Sequence, residues 1–311
     1  MKSVLCDLLD IRYPIFQGAM AWIADAKLAA AVSNAGGLGV IAAGNAPASW
    51  VKEQIKLAKS LTDKPFGVNV MLMSPSAEEI ARLLVEEKVE VVTTGAGDPS
   101  KYMEGWLEAG IKVIPVIASV AVAKRVCKRG ASAVIAEGGE AGGHIGDLTT
   151  MVLIPQIVDA VNVPVIAAGG IGDGRGVAAA FMLGASGVQV GTGFLVAHEC
   201  DIHQIYKDKV IKASDISTIA TGKRLGHPVR SLKTPFSRGF FAKEYDSSVT
   251  NEELEALGAG ALKRAVDGDE DGGCFMAGQI AGLIKKEQSA ADIIEEMFAE
   301  ANTTVRGFVN G

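Results

Sequence analysis

Cysteine, aromatic rings and surplus positive charge are all scarce in this 311-residue sequence. Its four cysteines, Cys6, Cys127, Cys200 and Cys274, stand far apart and form no Cys-x-x-Cys pair. That spacing suggests neither a disulfide framework nor a zinc site, and it suits a reducing, cytoplasmic setting. Lys and Arg number 30 against 36 Asp and Glu, for a net charge of −6, which argues against a general nucleic-acid footprint. No uninterrupted apolar run approaches the ~20 residues needed to span a bilayer. The opening MKSVLCDLLDIRYPIF lacks a signal-peptide layout, because acidic residues interrupt its short apolar stretch. Neither nucleic acid nor membrane is an expected partner.

Glycine and apolar residues are plentiful, with 37 Gly and 49% hydrophobic residues. High apolar content with abundant Gly implies tight turns and close backbone approaches rather than disorder. Short apolar runs alternate with longer amphipathic stretches. The runs are 15–17, 39–43, 67–71, 91–95, 113–118, 133–138, 164–170 and 187–192. Helical patterns lie between them, as at 24–37, 76–89, 119–130 and 148–161. Eight strand-then-helix units predict an α/β fold, a (β/α)8 TIM barrel. A doubly wound open sheet would place one Gly-rich fingerprint after its first strand, whereas here glycines follow nearly every strand. After the eighth run the rhythm breaks. Residues 198–272 show no clear strand run and read as an inserted lid or small domain, leaving 1–197 and 273–311 as the barrel. Within 203–243 there are nine Lys or Arg against two acidic residues, which fits an anionic partner such as a pyridine nucleotide or an acidic carrier protein. CFMAGQIAGLIKK (274–286) reads as the eighth barrel helix, and 289–301 as an extra packed helix.

The strongest local signal is AAGGIGDG (167–174) followed by QVGTGF (189–194). Loops after strands seven and eight of such barrels bind phosphate through backbone N–H groups, and glycine lets the backbone come close. EGGEAGGHIG (137–146) follows strand six and carries His144, whose imidazole can donate a hydrogen bond or exchange a proton near neutral pH. Glu137, at the end of the same strand, can bond ring or ribose groups or orient a loop. In YPIFQGAM (13–20) small residues let the backbone lie beside a planar ring, and Met20 offers a polarizable edge. Asn69, inside the apolar strand GVNVM, needs a polar partner, either within the protein or on a ligand. His198 and His203 flank Cys200 and Asp201 without tight metal-ligand spacing. His227 falls in the lid segment.

These motifs together resemble the FMN-dependent enoyl-[acyl-carrier-protein] reductase II family, which belongs with the nitronate monooxygenases. The marks are YPIFQGAMAW (13–22), AVSNAGGLGVI (31–41), DKPFGVNVML (63–72), VVTTGAGDPSKY (91–102), AVIAEGGEAGGHIG (133–146), PVIAAGGIGDG (164–174) and FMAGQIAGL (275–283). The resemblance implies FMN across the barrel mouth, with Ala19, Met20, Asn69 and Glu137 on the ring side. Gly143, Gly169, Gly170, Gly191 and Thr192 would hold the ribityl chain and phosphate, and Met276 and Gln279 would close over it. His144 would sit beside the reacting substrate. Many relatives read GTRF where this chain has Gly193 in place of Arg.

The resemblance further implies reduction by NADH or NADPH, an enoyl thioester on acyl carrier protein as substrate, and a homodimer. Hydride would reach the β-carbon of the enoyl thioester and a proton the α-carbon, with His144 as donor to the thioester oxygen or as proton relay. A nitronate monooxygenase could use the same pocket. A nucleotide dehydrogenase of the inosine-monophosphate type needs a Cys after strand six, and none of the four lies there. A non-catalytic flavin- or phosphate-binding protein would leave His144 without a role.

Overall fold

A computed structural model describes residues 3–309. Eight parallel strands form its central sheet: β1 (Ile15–Gln17), β2 (Gly39–Ala42), β3 (Phe66–Met71), β4 (Val91–Gly95), β5 (Lys112–Ile117), β6 (Val134–Glu137), then, after a two-residue strand β7 (Gly143–His144), β8 (Val165–Ala168) and β9 (Gly187–Val190). The hydrogen-bonded order is β1-β9-β8-β6-β5-β4-β3-β2. A parallel bridge between Phe16 and Leu38 joins its two edges, so the sheet closes into a (β/α)8 barrel.

Strand alternation sorts the core into two shells. Phe16, Val40, Val91, Ile114, Ile135 and Ile166 fill the barrel interior. Their neighbours Ile15, Ile41, Val92, Val113, Val134 and Val165 face outward, beneath the surrounding helices. The N-terminal helix Val4–Leu9 plugs the bottom with Leu5 and Leu9, which pack into the inner cluster. Its cap Ser3 donates to the Ser186 carbonyl, fastening the plug to the start of β9. A filled bottom leaves the opposite, C-terminal end as the open one.

All eight expected strand runs lie on barrel strands, but the last helix is displaced. Residues 274–278 run extended, with Met276 bridged to Ser231, and Gln279–Leu283 is a 3-10 turn. A Cβ at Gly278 would come within 2.7 Å of the Glu140 carbonyl, and one at Gly282 within 2.9 Å of Ser214, so both approaches need glycine. The eighth helical position belongs instead to Ala290–Val309, which packs against Gly174–Met182 and Ala26–Asn34.

The segment 198–272 is not strandless. It carries β10 (Thr218–Thr221) and β11 (Val229–Leu232), an antiparallel pair. β11 also pairs with β7, making a three-stranded sheet over the barrel mouth. Helices Pro235–Glu244, Asn251–Gly258 and Ala261–Val266 follow, each too short to show a strong period in sequence. Helix Gln204–Ile211 roots the segment in the barrel, since Tyr206 and Val210 belong to the outer core cluster.

Barrel closure leaves little room between β2 and the helix before it. A Cβ on Gly39 would fall on the Ala29 carbonyl, which is backbone and cannot swing away. Gly39→Ala is expected to cost ~3 kcal/mol or more, by overpacking. Urea denaturation of the purified variant measures this; a midpoint equal to wild type would contradict the packing described.

Candidate active site

A cavity of about 320 Å³ opens at the C-terminal end of the barrel. That is the size of a small-molecule site at the position where barrels of this kind do chemistry. Strand alternation decides which side chains reach it. Val68 and Val70 face outward, so Asn69 between them points in. Its Nδ2 donates to Thr93 Oγ1 at 3.0 Å, across the β3–β4 register, leaving Oδ1 and one N–H for the cavity. Glu137 follows Ala136 in the same way and lines the cavity. No described residue hydrogen-bonds its carboxyl, and removal from water pushes its pKa up to about 7. Gln189, between outward-facing Val188 and Val190, also lines the wall. Its sequence signal, a lone polar residue in an apolar strand, is the one that marks Asn69.

Two glycine turns form one side of the cavity. Gly169 and Gly170 follow β8 with φ of 84° and 71°, in the left-handed region that glycine tolerates. A Cβ on Gly169 would lie 2.7 Å from the Gly138 carbonyl, so the backbones touch. The N–H groups of Gly169, Gly170 and Gly191 donate to no described protein acceptor. Three unpaired donors at the ends of β8 and β9 make an anion cradle. The Thr192 hydroxyl accepts from Gly278 N–H at 2.9 Å, holding the 276–278 segment against the cavity. Ala19, Met20, Gly143 and Met276 complete the wall at its rim. Gln279 does not line it: the 3-10 turn leaves its side chain exposed, and only its backbone takes part, donating to the Glu140 carbonyl at 2.9 Å. Gly193 is buried, and a Cβ there would lie 2.9 Å from Val190.

Glu140 organises the loop after β6. Its carboxylate accepts from Thr150 N–H at 3.0 and 2.9 Å and lies 3.0 Å from the Thr150 hydroxyl. A carboxylate at the N-terminus of helix Thr150–Val158 also complements that helix dipole. The Thr150 hydroxyl lies within 2.9 Å of the Gly169 carbonyl, so the turn after β8 is tied to the same point. Arg230, from β11, donates to the Gly139 carbonyl through Nε and Nη2 at 3.2 and 3.0 Å.

His144 stands at the mouth, held by its backbone. It pairs with Val229, and Ile145 N–H donates to the Pro228 carbonyl at 3.0 Å. The hairpin therefore carries His227 alongside. The His144 pKa is lowered, first by desolvation at the cavity mouth and then by the charge of His227, so its imidazole is neutral near pH 7. The hairpin tip is itself gripped by Glu244, 3% exposed, whose carboxylate accepts from Gly222 N–H at 3.0 Å and Arg224 N–H at 2.8 Å. Away from the cavity, His203 Nδ1 accepts from Ile205 N–H and caps a helix.

The nitronate monooxygenase family model matches residues 2–300. The chain belongs to that family. It is thereby an oxidoreductase, as the motifs at 13–22 and 133–146 imply. Among solved structures it is similar to FabK from Thermotoga maritima, with 48% identity, a TM-score of 0.97, and coverage of 100% of this chain and 99% of that one. A nitroalkane oxidase from Streptomyces ansochromogenes shares 29% identity at a TM-score of 0.86, covering 97% and 100% of the two chains. A relative from Mycobacterium tuberculosis is a (3aS,4S,5R,7aS)-5-hydroxy-7a-methyl-1-oxo-octahydro-1H-indene-4-carboxyl-CoA dehydrogenase, 33% identical over 97% of each chain. No helix among the described residues is long and apolar enough to cross a membrane.

Two measurements follow from these environments. The folded pKa of Glu137, near 7, lies above its ordinary value of 4.5, so the native apoprotein holds the extra proton and loses stability as pH rises between them. With solvent entry through the mouth, the loss is expected to be on the order of 1–2 kcal/mol. Glu137→Gln is expected to flatten that part of the apoprotein stability profile in urea titrations at pH 5 and pH 8; an unchanged slope would place the effect elsewhere. His227→Ala removes the neighbouring charge, so the His144 pKa is expected to rise, as read from its imidazole C–H resonance in an NMR titration. A fall would contradict the assigned cause.

Proposed function

We propose that this chain is an FMN-dependent enoyl-[acyl-carrier-protein] reductase, reducing trans-2-enoyl thioesters with NADH or NADPH in the last step of the bacterial fatty-acid elongation cycle. The full-length likeness to FabK, at 48% identity against 29% for the nitroalkane oxidase, carries the choice of reaction. Its family resemblance supports a cytoplasmic homodimer, with residues 198–272 as a lid.

The cavity suits FMN on three grounds. Unpaired N–H groups at Gly169, Gly170 and Gly191 match a terminal phosphate. A Cβ on Gly191 would meet only Met20 Sδ, at 3.9 Å, and one on Gly143 only Met276 Sδ, at 3.7 Å, so the two glycines keep space open beside the cavity. Glu137, half-buried in the cavity wall and without a described protein partner, would find one in a ribityl hydroxyl or ring N–H. When bound, FMN supplies two-electron chemistry between the nicotinamide and the enoyl thioester.

The residues then divide the work. Gly169, Gly170 and Gly191 hold the phosphate, and Thr192 keeps the 276–278 segment in place behind it. Ala19 and Met20 border the ring, while Asn69 Oδ1 and Glu137 fix its orientation. Met276 narrows the mouth and limits water. The neutral His144 imidazole would donate to the thioester oxygen, where negative charge develops, or pass its N–H proton to the α-carbon while its other nitrogen takes one from solvent.

A second reading, nitronate monooxygenase, is favoured by the family model and by the nitroalkane oxidase likeness. There His144 would act as a base or neutralise a nitronate. An anaerobic experiment separates the two. The flavoprotein is bleached with NADH or NADPH, then mixed with crotonyl thioester. Return of the flavin band supports the reductase; a band that returns only with nitronate and oxygen supports the monooxygenase. His144→Ala is expected to slow the thioester half-reaction 10²-fold or more while leaving bleaching by nicotinamide within a few-fold. Equal loss in both halves would remove His144 from the proposed role.

A further inference from the structure

The cations of the lid are not evenly compensated. Lys207, Lys209 and Lys212 pair with Glu287, Glu270 and Asp208. Arg230 is turned inward onto Gly139, and Arg224 onto the carbonyls of Glu244, Asp246 and Val249. That leaves Lys223, Lys233, Arg238 and Lys243, all exposed, with no carboxylate of a described residue within ion-pair distance. In a chain of net charge −6 they form a run of positive charge along 223–243, which ends at Asp246 and at Glu252, Glu253 and Glu255 on the helix packed beside it.

This surface lies beside the mouth of the cavity. Lys223 is on the hairpin tip that leads through Pro228 and Val229 to His144. The Glu244 carboxylate binds that tip to the end of helix Pro235–Glu244, which carries Arg238 and Lys243. The same helix end exposes a tilted aromatic pair, Phe241 and Tyr245, with ring centroids 4.9 Å apart and 39% and 67% exposed. Exposed aromatics and Arg are enriched in protein-binding surfaces, and flanking lysines act on encounter through charge. A nucleotide phosphate would need cations converging on one point. These are spread over a loop, a strand end and two faces of a helix.

We infer that Lys223, Lys233, Arg238 and Lys243, with Phe241 and Tyr245, form a docking surface for the acidic face of a carrier protein that presents its thioester arm to the cavity. This rests on the proposed thioester chemistry and adds where the carrier sits. Complementary charge would act mainly on encounter, so the effect should weaken with salt.

The test compares wild-type holoenzyme with the triple variant Lys223→Glu, Arg238→Glu and Lys243→Glu. A control of equal charge change, Lys124→Glu, Lys128→Glu and Arg129→Glu, lies on and just beyond helix Val120–Lys128. Substrates are crotonyl-pantetheine, crotonyl-CoA and crotonyl on a bacterial holo-acyl carrier protein. Binding of fluorescent holo-carrier is read by anisotropy in parallel. We expect the lid variant to lose tenfold or more in kcat/KM and in affinity for the carrier at low salt. Crotonyl-pantetheine turnover should stay within twofold, and the control should behave as wild type.

Unchanged carrier binding and turnover would overturn the docking surface. So would an equal loss in the control, an equal loss with crotonyl-pantetheine, or a larger loss with crotonyl-CoA, which would assign the cations to nucleotide phosphates. If wild type reduces none of the thioesters, the reductase reading fails by itself. Carrier binding then decides the surface: affinity lost in the lid variant sustains it, and no affinity in wild type sinks it.

Discussion

One carboxylate fastens the loops on which the site depends. Glu140 holds the N-terminus of helix Thr150–Val158 through Thr150, and Thr150 in turn touches the Gly169 carbonyl beside the anion cradle. The Glu140 backbone carbonyl takes the N–H of Gln279, so the segment carrying Met276 closes onto the same residue. Its neighbour Gly139 receives Arg230 from the lid sheet. Loops from β6 and β8, the stretch before the last helix and the lid thus share one anchor. The crowding is close enough to dictate sequence: a Cβ at Gly138 would fall on Thr150. Charge-assisted bonds at a helix N-terminus are among the stronger surface-accessible ties a protein makes, which suits an anchor near an open mouth.

Around that anchor the walls leave polar groups unsatisfied. A partnerless carboxyl and a set of free N–H groups lining one cavity describe a ligand by its complement. The N–H groups call for an anion, and Glu137 for a donor or a shared proton. Asn69 is half satisfied by Thr93 and offers its remaining acceptor inward. Such a site is costly while nothing fills it, and the raised Glu137 pKa is one measure of that cost.

Most of this was legible in the residues, for a definite reason. The barrel announces itself because each strand is an apolar run bounded by glycine, and Asn69 and Glu137 stand out as polar interruptions of such runs. Gln189 follows the same rule in GVQVG. What escapes is whatever depends on partners remote in sequence. β10 and β11 are four residues each, and their sheet is completed by Gly143 and His144, far back in the chain. Glu244 looks like one more helix carboxylate until its bonds to Gly222 and Arg224 are seen. The stretch 274–286 misleads because apolar residues buried in an extended segment and a turn imitate a helical pattern, and only Gly278 and Gly282 betray the difference.

The position of the lid and the protonation of the site are set by the same hairpin. β11 supplies the backbone partner that fixes His144, and the residue preceding Pro228 adds its charge to the desolvation that chiefly lowers the His144 pKa. Any shift of the hairpin therefore changes where His144 points and how readily it holds a proton. Glu244 opposes such shifts from a buried position, and Arg224 adds three carbonyl contacts on the outer side. A rigidly held tip suits the role proposed for His144, since meeting a developing charge at a fixed point gains nothing if the group must first reorganise. The segment 198–272 thus belongs to the electrostatics of the mouth, through His227 and the strand that pairs with His144.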